Sequence, residues 1–94
     1  MKIVLLDGDR IKKESDIHKE FGKAISLPGY YGENLDALYD VLTDLNEEIG
    51  VIVVKNKLLM NNLGKSWENF LLLMEDLNEE ISDFYFMIAP FGNN

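Results

Sequence analysis

The chain contains no cysteine, and its 94 residues include a single histidine, His18. The first absence removes disulfides, thiolate metal sites and thiol catalysis together. The second makes a multi-histidine metal centre impossible within the chain. Basic residues are also scarce. All nine lie in 2–23 or 55–65, against seventeen acidic ones, and the net charge is −8 with a pI near 4.4. Phosphate binding draws on Lys and Arg, so direct contact with nucleic acid or an anionic membrane is disfavoured. Long apolar runs are missing too. The opening MKIVLL has only the four apolar residues IVLL between Lys2 and Asp7, too few for a signal-peptide core or a membrane span, so a cytoplasmic protein is the expectation.

The composition, 47% hydrophobic and 28% charged, is that of an ordinary globular protein. Its length points to one domain, 1–94, able to bury about 60–65% of the surface its unfolded form exposes. Acidic residues fall in two base-free regions. Glu33, Asp36, Asp40, Asp44, Glu47 and Glu48 lie between Ala24 and Val54, and Glu68, Glu75, Asp76, Glu79, Glu80 and Asp83 follow Lys65. If the fold brings the two together they form a field that steers a basic partner. The plainer reading is a solubilising surface.

Along the chain, Lys2 to Leu6 reads as a buried strand ending at the turn Asp7-Gly8-Asp9. Ser15 or Asp16 is a cap for a helix reaching about Ile25, with Ile17, Phe21, Ala24 and Ile25 at helical spacing. His18, beside Lys19 and Glu20, reads as a surface residue. Leu27-Pro28 ends that helix, because a residue before proline is pushed out of the α region. Gly29-Tyr30-Tyr31-Gly32-Glu33 is a loop whose glycines are free to take positive φ. Tyr31 reads as a plug at the edge of the core.

Asn34 is a good N-cap for a helix over 35–46. At about 100° per residue, Leu35, Leu38, Val41, Leu42 and Leu45 fill an arc of about 120°. Asp36, Asp40, Thr43 and Asp44 lie opposite, with Tyr39 on the boundary. Gly50 ends the next turn, and VIVV at 51–54 is a strand with no polar alternation, suited to cover on both faces. A short helix over 56–62, a longer one over 67–80 and a strand over Phe84 to Ile88 follow. Trp67, Phe70, Leu71, Met74 and Leu77 mark the buried face of the longer helix. Residues 89–94 read as a loose tail. The order is β-α-α-β-α-α-β, and strands joined through helices lie parallel. The expected fold is therefore α/β, a three-stranded parallel sheet packed with helices.

Asp36 and Asp40 are a like-charged i, i+4 pair, which costs an isolated helix a few tenths of a kcal/mol. Asp36 recovers something from the helix dipole in the first turn, whereas Asp40 lies beyond its range. One reading is a solvated face. The other is that two carboxylates on a rigid helix imitate the negative charge of a ligand. Catalysis by the pair would need a cleft and one pKa raised by burial, or further oxygen ligands for a metal, and the outer face of a small helix supplies neither. No catalytic group, metal or cofactor is expected.

PGYYGENLDALYDVLT, at 28–43, closely resembles the central segment of the barstar family, intracellular inhibitors of barnase-type ribonucleases. SDIHKEFGKAISLP resembles the family's first helix, and the element order fits its three-stranded parallel fold. The resemblance implies that the loop and second helix enter the active-site groove of a basic ribonuclease as a 1:1 complex. It makes Asp40 the deepest anchor, with Asp36 beside it and Tyr30 against the catalytic histidine. Gly32, Asn34 and Leu35 would give close contacts, Tyr39 flanks the acidic face, Thr43 sits at the rim, and Asp76 falls where the family carries a glutamate. Two departures stand out: Tyr39 and Leu45 occupy positions held by tryptophans. The alternative is an immunity or adaptor protein for a different basic toxin or nucleic-acid-binding protein.

Overall fold

Two apolar runs that pair side by side set the architecture. In the computed structural model, which describes residues 1–90, β1 (Lys2–Asp7) and β2 (Ile49–Val54) form a parallel pair, and β3 (Phe84–Ile88) pairs parallel to β2. The sheet order is β1-β2-β3, in the register Val4, Val51, Phe86 and then Leu6, Val53, Ile88. Between the strands lie α1 (Glu14–Ala24), α2 (Leu35–Asp44), α3 (Asn56–Leu63) and α4 (Lys65–Glu80). The fold is α/β, a three-stranded parallel sheet with four helices, in the order expected.

The core forms where the helices meet one face of the sheet. Val4, Leu6, Val51, Val53 and Phe84 point into it, against Ile17 and Phe21 of α1, Leu38 and Leu42 of α2, and Trp67, Phe70, Met74 and Leu77 of α4. Trp67 stacks on Phe70 with ring centroids 5.1 Å apart, and Phe21 meets the edge of Phe70 at 6.2 Å. The buried indole is satisfied, since Trp67 Nε1 donates to Asn56 Oδ1 at 2.8 Å, fastening α4 to the start of α3. Leu71, expected in the buried face of α4, is only partly covered.

The expectation of cover on both faces fails. Ile3 and Leu5 of β1 and Tyr85 and Met87 of β3 are each about half exposed (47–50%), on the face opposite the core. Gly50 and Ile52 stand between them in register. Parallel strands with uninterrupted apolar residues normally have helices on both sides; here the described helices that feed the core all pack on one.

Several boundaries also move. Neither Ser15 nor Asp16 caps α1: the helix begins at Glu14, and the Asp16 carboxylate, inside the first turn, accepts the backbone N–H groups of Lys12 and Lys13. Those hydrogen bonds hold its pKa below the ordinary carboxylate value, more than partial desolvation raises it. Helix α2 stops at Asp44 because Leu45 is extended. Gly50 lies inside β2 rather than ending the turn, and α4 starts two residues early, at Lys65. Ala89 is no loose tail. It is fully buried, and its N–H donates to Val53 O at 2.8 Å. Pro90 after it is exposed, and 91–94 of the expected tail lie outside the described residues.

Candidate functional site

The geometry around α2 starts at its cap. Asn34 Oδ1 accepts the N–H of Ala37 at 2.8 Å, satisfying one of the donors that a helix start leaves open. The amide of the same side chain donates to Gly32 O, two residues back in the loop, at 3.4 Å. A Cβ on Gly32 would stand 2.9 Å from Asn34 Nδ2, so a larger residue there would push the cap aside. Positive φ falls not on Gly29 or Gly32 but on Glu33, at 51°. A non-glycine residue in that region costs about 1–2 kcal/mol, and the turn into α2 holds it there.

With its start fixed, α2 turns Leu38 and Leu42 into the core and half-buries Leu35, Tyr39 and Val41. Asp36, Asp40, Thr43 and Asp44 are exposed. Tyr30, at the loop tip, is 90% exposed. The loop and the helix flank a cleft of about 350 Å³, with Pro28, Tyr30 and Tyr31 on one side and Asp40, Val41 and Asp44 on the other. Thr43 and Ala37 complete its wall. An aromatic lip beside two carboxylates can take a basic or aromatic side chain of another protein. It offers no enclosed site for a small molecule.

The second acidic region joins the first through Tyr39. Its hydroxyl donates to Glu80 Oε2 of α4 at 2.5 Å. That hydrogen bond, then desolvation, then the charges of Glu80, Asp76 and Asp40, raise the phenol's pKa above its ordinary value. Asp40 of α2 and Asp76 of α4 thus act on one phenol, so members of both base-free stretches meet at Tyr39. Among the described residues no three His, Cys, Asp or Glu side chains converge as metal ligands, and no helix is long and apolar enough to cross a membrane.

Of the residues singled out from sequence, Tyr30, Asp40 and Thr43 share the cleft, Gly32 and Asn34 touch each other, and Tyr39 and Asp76 lie on the α2–α4 seam. Asp36 is exposed on the first turn of α2 but does not line the cleft. Leu35 packs partly into the core, which limits what it presents outward. Two residues were missed. Glu80 had no signal, being 41 positions from Tyr39. His18 is not a surface residue. It is 1% exposed, hydrogen-bonded through Nδ1 to the Tyr31 hydroxyl. Its place beside Ile17 and three residues before Phe21, on the buried stripe of α1, was the available clue.

Comparison with known proteins adds what geometry alone does not. The family described as Barstar (barnase inhibitor) matches residues 1–89. A curated protein of Bacillus subtilis (strain 168), named "Putative ribonuclease inhibitor YrdF", is 30% identical over 89 residues, covering 94% of this chain and 98% of its own length. The family match opens before β1 and closes on the buried Ala89, so it takes in every strand together with the loop and both acidic helices. The chain is a member of the barstar family.

Proposed function

We propose that this chain inhibits a basic ribonuclease of the barnase type, in a 1:1 complex within the cytoplasm, by laying α2 and the 28–33 loop into the active-site groove. The family is one of ribonuclease inhibitors, and the acidic face supports the finer reading. The observation that carries it is the exposure of Asp36 and Asp40 on a capped helix, in a stretch where Ala24 to Val54 holds no compensating base. Carboxylates on a helix already anchored by Leu38 and Leu42 lose little freedom on docking, so their charge is available to replace the phosphates of RNA. Tyr30 supplies the flat apolar contact and Asp40 the deepest charge. Thr43, Asp76 and Tyr39 form the surround, and Gly32, Asn34 and Leu35 shape the backbone beneath it. No catalytic group of this chain takes part.

Association under this reading is steered by opposite charge, so it slows as salt shortens the screening length from about 10 Å at 0.1 M to about 3 Å at 1 M. The test mixes the purified chain with several barnase-type ribonucleases and follows RNA cleavage. Stoichiometric inhibition that weakens with salt is expected. Full cleavage by all of them at micromolar inhibitor overturns the proposal.

A further inference from the structure

Among the described residues His18 is the one polar side chain buried with the core. Its ring lies 5.5 Å from that of Tyr31, centroid to centroid, with planes tilted by 59°, and Nδ1 is hydrogen-bonded to the Tyr31 hydroxyl. The other nitrogen, Nε2, is buried without a hydrogen-bond partner among the described residues. The nearest acid to it is Glu14 Oε2, 3.6 Å away and one turn back on α1. Tyr31 stands between Tyr30 and Gly32, and its N–H donates to Pro28 O at 3.0 Å. The loop is therefore held at its middle by one backbone bond and one side-chain bond, and the latter ends on an imidazole.

The charges around the ring decide how that bond runs. A carboxylate on the Nε2 side favours a hydrogen on Nε2, which leaves Nδ1 as the acceptor and Tyr31 as the donor. The phenol keeps its proton, because burial, then the charges of Glu33 in the loop and Glu14 on α1, push its pKa up to about 12. Adding a proton to the ring makes both nitrogens donors. The Tyr31 hydroxyl must then turn round to accept, its own hydrogen loses its partner, and a positive charge stands in the core. Glu14 from α1 lies nearest, while Glu33 acts on the phenol from the loop. A buried charge with one partly exposed counter-charge is unfavourable compared with the neutral pair.

We infer that His18, acting through Tyr31, is the positioning residue of the recognition loop, and that its uncharged form is the one that holds Tyr30 and Gly32 ready for a ribonuclease partner. Partner binding then falls when acidification places a proton on the ring. This rests on the ribonuclease reading above, and the experiment separates the two.

Inhibition of a barnase-type ribonuclease is measured at pH 7.5 and 5.5 for the natural chain, His18→Gln and Tyr31→Phe, taking for each the ratio of the two inhibition constants. The enzyme's own pH dependence is common to all three and cancels between them. Glutamine presents an acceptor to Tyr31 and cannot take the proton. The natural chain is expected to weaken at least tenfold more than His18→Gln on acidification, and Tyr31→Phe to bind more weakly than the natural chain at pH 7.5. Equal ratios for the natural chain and His18→Gln overturn the inference. Absence of inhibition by the natural chain at pH 7.5 instead sinks the ribonuclease reading. A partner-free NMR titration covers that case and any variant that does not fold. The chain has one histidine, so the imidazole signal needs no assignment. Hydrogen on Nε2 at neutral pH, with the Gly32 and Glu33 amides moving at the imidazole's own midpoint, is expected. Loop amides that stay still while the ring titrates overturn the inference without reference to any ribonuclease.

Discussion

The hydroxyl of Tyr39 donates to Glu80 Oε2 at 2.5 Å, so one bond crosses from the acidic helix to its neighbour in the layer. Tyr39→Phe removes the donor and leaves the ring in place. Both partners are accessible to water, so the stability change should stay within about 0.5 kcal/mol. The functional effect is larger in relative terms, because Glu80 is freed to swing away from Asp76 and Asp40. Inhibition should weaken about threefold, and combining Tyr39→Phe with Glu80→Gln should weaken it by less than the product of the single effects, as coupled residues do. Surface plasmon resonance on the four proteins of the cycle reads this directly, and simple multiplication of the two effects would show the bond to be idle.

Asp40 and Asp83 are both exposed aspartates, but only Asp40 lines the cleft. Asp40→Ala should cost binding about 3 kcal/mol or more, the scale for stripping one member from a buried ion pair, because the partner's basic groups are left unmatched. Asp83→Ala should change binding by no more than about 0.5 kcal/mol, as a surface substitution away from the interface. Neither should lower Tm noticeably, since neither carboxylate has a hydrogen bond among the described residues. Isothermal titration against the ribonuclease and a thermal melt distinguish the two; equal binding losses would remove Asp40 as the anchor.

Asn56→Ala tests the core instead. Trp67 is fully buried and its indole N–H has Asn56 Oδ1 as its recorded acceptor. Removing that oxygen leaves a buried donor unsatisfied, at about 1–3 kcal/mol. For a chain of this size each kcal/mol moves Tm by about 4–8 °C. Asn56→Asp keeps an oxygen in the first turn of α3 and should recover most of the loss. Calorimetry on both variants checks it.

The alkaline limb of stability belongs in part to Tyr31. Its phenol ionises near 10 in the unfolded chain but is pushed up to about 12 in the folded one by burial, then by Glu33 and Glu14. The raised folded value means the contribution is full below pH 10 and is lost as pH climbs from 10 to about 12. Urea midpoints for the natural chain should therefore drop faster between pH 9.5 and 11.5 than those of Tyr31→Phe. Parallel curves would show that the phenol is not protected.

These features differ in how far the sequence alone discloses them. The strands announce themselves as apolar runs, and the leucines of α2 specify both its buried face and, by exclusion, the aspartates that point outward. Asn34 as a cap is a local matter and was legible for that reason. The cover on β2 was not. VIVV looks the same whether one or two layers of helix lie against it, and only the tertiary arrangement leaves Ile3, Leu5, Tyr85 and Met87 bare. Gly50 looked like punctuation because its neighbours Glu47 and Glu48 are polar, yet pairing with Ile3 and Tyr85 carries the strand through it. His18 was hidden by Lys19 and Glu20 beside it, whose sides of the helix face outward. The Tyr39–Glu80 bond joins two segments whose proximity is set by α4 packing on α2, which no local pattern encodes. For Asp76 it was family resemblance, not helical periodicity, that suggested a place in the proposed interface.

The bare side of the sheet gives the net charge a second role. Ile3, Leu5, Tyr85 and Met87, with the half-buried Ile52 between them, make a patch, and among the described residues the outer edges of β1 and β3 carry no further strand, the combination by which chains adhere to one another. An overall charge of −8 opposes that adhesion by mutual repulsion. Resistance to that adhesion is then tied to the same carboxylates that the proposed docking uses. It is weakest near the pI of about 4.4, where the repulsion vanishes and the patch does not.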